Sequence, residues 1–362
     1  MKVVYISNSI IPSKQANSIH VMKMAYALSN NGLETTLIGR DGFKQPSNDY
    51  KFYGVEEKFK IIKLPWLQKI GSLTYSILAF FKVKKINPDI VYGRCLIGIY
   101  FSTLFGFSTM YEAHAPFYNQ NILRRFIFKR LIKLKQFKGL VVISEALKNI
   151  FLETEDIESH KIFVEHDASD IVDLQNSIEL GKDNRLKIGY VGHLYSGRGV
   201  DIIIELATLL KDFDFHIVGG NIEDINYWKS KVNLDNIIFH GHLPPSEVYK
   251  YRNSFDILLA PYQDSVSIEG KNDTSKFMSP LKIFEYMSSK KPIISSDLPV
   301  LREVLSEENS ILVTHNNIDL WSSAINKLKK QNEREKLAVK AYEDFILKYT
   351  WNIRAQNIIE RF

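Results

Sequence analysis

Two short segments hold the residues best suited to handling an anion. Gly192-His193-Leu194-Tyr195-Ser196-Gly197-Arg198-Gly199 directly follows a run that reads as a strand ending at Val191. A glycine-rich turn entering a helix offers backbone N–H groups and the positive helix end to a phosphate. The spacing approaches a P-loop, but Arg198 stands in place of the lysine and Gly199 in place of the Ser/Thr that would hold magnesium, so ATPase chemistry is excluded. The glycine intervals are also wrong for a dinucleotide fingerprint. The second segment is Ser279-Pro280-Leu281-Lys282-Ile283-Phe284-Glu285-Tyr286-Met287. Ser279 suits an N-cap and Pro280 a first helical position. Lys282 then falls in the first turn, where a cation opposes the helix dipole unless an anion shares that helix end. Glu285 lies on the same face three residues on. A lysine for phosphate and a carboxylate accepting two ribose hydroxyls make a coherent nucleotide-sugar site. Taken singly, the first segment also fits a tight turn and the second a solvated ion pair.

The elements around these segments alternate between short β-branched runs and longer stretches of helical periodicity. Strands are expected at Lys2–Ser7, Thr35–Ile38, Lys60–Leu64, Ile90–Tyr92, Thr109–Glu112, Leu140–Ile143 and Ile162–Val164. A first helix is expected over Ser18–Asn30, ended by Asn31-Gly32. The pattern then restarts, with strands at Arg185–Val191, Asp214–Val218, Ile237–His240, Ile257–Ala260, Pro292–Ser295 and Ser310–Val313, and helices at Gly199–Leu210, Ser246–Asn253 and Pro280–Ser288. Strands separated by helices imply βαβ units and parallel sheets. The fold class is therefore α/β, with two doubly wound Rossmann-like domains in tandem, 1–172 and 183–346, and the acidic stretch 165–183 as the linker. Two such domains are expected to face a central cleft, with ligands outside the carboxyl ends of the strands.

Read together, the motifs of the second half resemble the family-4 glycosyltransferases, retaining enzymes of the GT-B fold. In order they are Arg198 in its glycine-rich turn, Gly219-Gly220, Phe239-His240-Gly241, Asp256 through Ala260-Pro261, Lys282 with Glu285, and Pro292-Ile293-Ile294. Ser296-Asp297-Leu298-Pro299 and Leu301-Arg302-Glu303 continue the match. The first half resembles the family more loosely, at Ser18-Ile19-His20-Val21, Tyr111-Glu112-Ala113-His114 and Val142-Ile143-Ser144-Glu145. Tyr349-Thr350-Trp351 is similar to the segment where a last helix, 347–362, crosses back to the first domain. The resemblance implies a transferase moving a sugar from a UDP- or GDP-sugar to a glycan or polyprenyl-linked acceptor in bacterial surface polysaccharide synthesis. It assigns catalysis to His114, Arg198 and Lys282, with His114 contacting the donor sugar. Gly197, Gly199, Gly219, Gly241, His242, Leu243, Pro280, Leu281 and Glu285 would bind the donor nucleotide, and Asn17, Ser18 and His20 the acceptor or phosphate side. It also implies front-face attack, with a phosphate oxygen helping to deprotonate the acceptor.

Arg198, Lys282 and the helix start would stabilise the departing diphosphate, so no metal and no cofactor besides the nucleotide-sugar substrate are expected. The one Asp-x-Asp, Asp212-Phe213-Asp214, sits where a helix gives way to a strand and is not expected to clamp a metal. Three departures stand out. The family's second glutamate is replaced by Phe277, and its role could fall to Glu269, Asp273 or the backbone near Pro280. Ala16-Asn17-Ser18 replaces the usual paired glycines of the first loop. His193 stands where a basic residue often follows Gly192.

The charge is unevenly spread. Of 47 Lys+Arg and 41 Asp+Glu, residues 1–150 hold 22 basic and 8 acidic, residues 151–180 hold 1 and 9, and the remainder balances. The basic excess suits an anionic surface or substrate. Residues 124–135 read as a basic amphipathic helix, and Lys82, Lys84 and Lys85 form another basic segment, so docking on an anionic membrane is expected. No base-reading or stacking module accompanies the charge, so nucleic acid is not. The longest uncharged run, Cys95–Tyr111, is too short and too broken by small polar residues to span a bilayer. With one cysteine and no secretory signal at the start, the expectation is a cytoplasmic protein peripheral on the inner membrane face. Two rivals remain: a nucleotide-sugar epimerase of GT-B fold, and a non-catalytic nucleotide-sugar-binding partner of another transferase.

Overall fold

The computed structural model describes residues 1–42, 48–66, 71–118, 120–181, 184–268 and 272–362. It divides into two compact units, Met1–His166 with Trp351–Phe362, and Asp167–Thr350. Glu269 lies outside the described residues, as do residues 182 and 183, where the second domain was expected to begin.

The first unit is built on seven strands: β1 (Lys2–Ile11), β2 (Glu34–Asp41), β3 (Lys60–Leu64), β4 (Ile90–Gly93), β5 (Ser108–Ala113), β6 (Phe137–Val142) and β7 (Ile162–Val164). Their order is β3-β2-β1-β4-β5-β6-β7, and every pairing is parallel. The strands are apolar on both faces because helices cover both; Val4, Ile6, Leu37, Val91 and Met110 are fully buried. The uncharged run resolves as expected into a helix, Leu96–Leu104, a left-handed Gly106 and β5. Among the described residues no helix is long and apolar enough to cross a membrane.

The second unit holds β8 (Leu186–Val191), β9 (Phe213–Val218), β10 (Ile237–Gly241), β11 (Ile257–Ala260), a small antiparallel pair β12 (Ser267–Ile268) and β13 (Asn272–Asp273), then β14 (Ile293–Ser296) and β15 (Ile311–Val313). Its parallel sheet runs β10-β9-β8-β11-β14-β15. In both sheets the order of successive strands thus reverses beside the first strand, between β1 and β4 and between β8 and β11. Such switch points leave a crevice at the carboxyl ends of the flanking strands.

Four boundaries differ from expectation. The acidic stretch is part of the second unit from Asp167 onward rather than a free linker. Its polar groups are used there: Asn253 donates to the carbonyls of Asp173 and Asn176, and Ser254 Oγ bonds Ile178. The return to the first unit comes at Trp351, where a new helix, Trp351–Ile359, begins after the helix Gln331–Lys348 ends. The basic helix spans Ile122–Leu131 and leaves Lys133 and Lys135 outside, because the chain turns into β6. The first helix starts at Ala16, so Ser18 lies within its first turn.

Candidate functional site

In the second unit the glycine-rich turn and the helix Leu281–Ser288 converge. Gly192 directly follows β8 with φ +153°, and a Cβ there would come within 3.0 Å of the Lys282 ammonium. The bare backbone lets that ammonium lie against the strand end. Lys282 Nζ sits 3.9 Å from the Tyr190 ring centroid and 4.8 Å from that of Tyr262. The Arg198 guanidinium lies over the same Tyr262 ring, 5.5 Å from its centroid. The two cations are therefore together, as the sequence led us to expect. Gly199 allows this packing: an added Cβ would stand 1.9 Å from the Pro261 carbonyl oxygen. Gly197 is pressed in the same way on Ser265, and Gly219 on Gly192. The Gly192 N–H bonds Val218 O and the Gly219 N–H bonds Gly241 O, which aligns the ends of β8, β9 and β10.

Lys282 is only 8% exposed, and its Nζ has no hydrogen-bond partner among the described residues. Burial, followed by the neighbouring Arg198, holds it well below the usual lysine range, against the pull of Glu285. Desolvation, Arg198, Lys282 and His242 likewise depress His193, whose ring stacks on Tyr195 at 4.8 Å. Several cations thus act on one spot, with Glu285 and Asp224 as weaker opposing charges. A buried unpaired ammonium is costly, so the arrangement calls for an anion.

Other expected residues have different duties. Ser279 does not cap the helix; its Oγ accepts from the Asp167 N–H at 2.9 Å, and Pro280 takes the N-cap position without a side-chain bond. Pro280 and Leu281 therefore open the helix whose second residue is Lys282. Glu285 is half-buried and pairs with Arg252 at 3.3 Å rather than standing as a solvated partner of Lys282. His242 is exposed and Leu243 half-buried just beyond β10. Phe277 is buried. Asp273 accepts from the Val266 and Ser275 N–H groups, each at 2.9 Å, so its carboxylate ties a loop. Asp214 pairs with Lys187 at 2.8 Å while Asp212 is 85% exposed, so this Asp-x-Asp is split between two environments.

The first unit has its own cluster. Glu112, buried at the end of β5, places Oε1 2.6 Å from His114 Nε2, 3.1 Å from His20 Nε2 and 3.0 Å from Arg354 Nη2. Its Oε2 accepts from Tyr92 and, at 3.4 Å, from Tyr5. Burial alone would raise this carboxyl, but Arg354, His20 and the histidine hydrogen bonds overcome it and hold the group well below the carboxylate range. His20, Glu112 and His114 lie close enough to be weighed as metal ligands. The guanidinium on the same oxygen and two imidazoles facing it make a hydrogen-bonded carboxylate the better description. Ser18 donates to Ile10 O at 2.8 Å and closes the turn after β1, while Asn17 beside it is exposed. Sequence reasoning missed Arg354 and the Tyr190–Tyr262 pair. The Trp351-x-x-Arg354 spacing and the placement of Tyr262 just past a strand end were the available signals.

Residues 185–331 match the family model described as Glycosyl transferases group 1. That segment contains every cation of the second-unit site. Over 253 residues the chain is 21% identical to the O-antigen chain mannosyltransferase RfbU of Salmonella typhimurium, covering 69% of this chain and 67% of that one. A shorter match, 28% over 125 residues, joins it to TuaH of Bacillus subtilis, a glycosyltransferase provisionally assigned to teichuronic acid biosynthesis; it spans 34% of this chain and 29% of that protein. Among solved structures, Thermosynechococcus elongatus sucrose-phosphate synthase superposes with a TM-score of 0.75 at 14% identity, over 99% of this chain and 97% of that one. Anabaena HepE in complex with UDP-glucose gives 0.72 at 14%, over 99% and 98%. The fold is GT-B, and with the family match it supports a glycosyltransferase.

Proposed function

We propose that the protein is a retaining, metal-independent glycosyltransferase of surface-polysaccharide assembly, moving a sugar from a nucleoside diphosphate to a glycan or polyprenyl-linked acceptor. One observation carries the reading: Lys282, a buried ammonium without a hydrogen-bond partner among the described residues, stands beside Arg198 at the ends of β8 to β10. A diphosphate supplies the missing charge. As the bond from sugar C1 to the phosphate breaks, negative charge grows on the leaving group, and the two cations with the N–H groups of the first helical turn stabilise it. Glu285 binds the ribose hydroxyls. His114, in the first unit, meets the transferred sugar, and a phosphate oxygen helps deprotonate the acceptor. HepE's complex with UDP-glucose and RfbU's part in O-antigen synthesis support the donor class and the polysaccharide context.

The test begins with UDP and GDP as ligands in a melting experiment, since a ligand of the folded state raises the transition. Incubation with nucleotide sugars follows. Slow release of free sugar with retained anomeric configuration supports the transferase. Conversion of the free donor to an epimer points to the isomerase, and binding without turnover with every acceptor points to a non-catalytic partner.

The acceptor side adds a cytoplasmic membrane surface to the reading. Phe81, Leu104 and Phe105 are exposed, with Phe80 packed against Phe81 and Phe105. Ile122, Leu123 and Phe126 are exposed on the basic helix. Apolar side chains among Lys82, Lys84, Lys85, Arg124 and Arg125 suit an anionic bilayer. Flotation with anionic vesicles is expected to carry the protein up, less so as salt rises. Binding that ignores salt, or none, removes this part.

A further inference from the structure

Glu112 gathers more donors than any single role for a buried carboxylate demands, and one of them comes from the far end of the chain. Arg354 stands on the helix Trp351–Ile359 and is 1% exposed. Its Nε donates to the His166 carbonyl at 2.9 Å and its Nη2 to the Glu165 carbonyl at 3.3 Å, so the planar guanidinium is locked before it reaches Glu112. Trp351, on the same helix, sets its ring edge-on to His20 at 5.1 Å, and His20 stands edge-on to His114 at 4.9 Å. An ionised carboxylate can only accept hydrogen bonds. Both histidines approach Glu112 Oε1 with Nε2. His114, whose approach is a hydrogen bond, must therefore carry its proton on Nε2.

We propose that Arg354 and Glu112 are positioning residues for His114: the guanidinium fixes the carboxylate, and the carboxylate fixes the His114 ring in one orientation and in the Nε2–H tautomer. The logic is that of any imidazole whose working nitrogen is set by the bond its other nitrogen makes. For its kinetic arm this rests on the transferase reading above. The tautomer stands apart from that reading.

The experiment has two arms. Nitrogen-15 NMR of the wild-type histidines is expected to show His114 with a proton on Nε2, as that tautomer or as imidazolium. A neutral His114 with its proton on Nδ1 overturns the proposal. In the second arm, Arg354→Lys and Arg354→Met are assayed well below their melting temperatures. Loss of orientation is expected to lower kcat about 10- to 100-fold in Arg354→Met. KM for the donor should stay within about twofold, because the cations that hold the donor are untouched, and Arg354→Lys should recover part of kcat. A variant that melts lower but keeps the wild-type kcat and pH profile makes Arg354 structural only and contradicts the proposal. If Arg354→Met does not fold, Arg354→Lys and the wild-type spectrum still decide. If the wild type turns over no donor at all, the transferase reading fails while the tautomer is judged by NMR alone.

Discussion

Glu112 in the first unit and Lys282 in the second are both charges buried at the carboxyl ends of parallel strands, and they are compensated in opposite ways. Around Glu112 the chain supplies a guanidinium, two imidazoles and two phenols. Around Lys282 it supplies two aromatic faces and a second cation. The first charge is finished by the fold. The second is finished by whatever anion arrives. A buried charge with its partners in place adds to stability or is neutral, whereas one left without them is a standing cost that ligand binding relieves. Sites of the first kind are expected to break the protein when altered, and sites of the second kind to break its binding.

The comparison is broken most severely by removing the carboxylate. Glu112→Ala leaves Arg354 buried without its anion and is expected to cost about 3–5 kcal/mol in urea unfolding. Removing a cation from the second site should act on the ligand instead. Arg198→Ala is expected to weaken UDP or GDP binding by about 1.5–3 kcal/mol in calorimetry with a smaller change in stability. A smaller loss of affinity is expected for Glu285→Ala, about 1 kcal/mol, because the ribose contact is replaced by water while the diphosphate contacts remain. An unchanged affinity would return Glu285 to its pairing with Arg252 alone.

The gentlest probe is pH. Lys282 titrates below its unfolded value, so between the two values the unfolded chain binds the extra proton. The contribution of this group to stability must therefore rise as pH climbs from the folded value toward about 10.4. Saturating nucleoside diphosphate should flatten that rise by stabilising the ammonium. Glu112 is also depressed, so its contribution too rises with pH, but in the acid range: it is in place above the ordinary carboxylate range and is lost as pH falls through the depressed folded value.

Much of the second unit was legible because its signals are local. Arg198 and Lys282 each stand within a few residues of a strand end or helix start, and parallel βαβ topology brings such ends together. The strand periods were equally plain, and Lys60–Leu64, Ile162–Val164 and Ile257–Ala260 lie where the alternation put them. What was not legible depended on distant partners. Arg354 and Glu112 are 242 positions apart, and neither helical nor strand spacing links them. Ser279 looked like a cap by its neighbours, but Asp167, 112 residues away, takes its hydroxyl. The exposed apolar residues of the basic helix were hidden for another reason: periodicity identifies an amphipathic helix but does not say which of its apolar residues the core has room for.

The most direct measurement is urea unfolding of wild type and Lys282→Met, each with and without UDP or GDP. The variant without nucleotide is expected to be at least as stable as the wild type, because a buried ammonium with no hydrogen-bond partner among the described residues has been exchanged for an apolar side chain, and nucleotide is expected to stabilise the wild type alone. A variant that is less stable on its own, or one that the nucleotide stabilises as strongly as the wild type, contradicts a lysine held ready for a diphosphate.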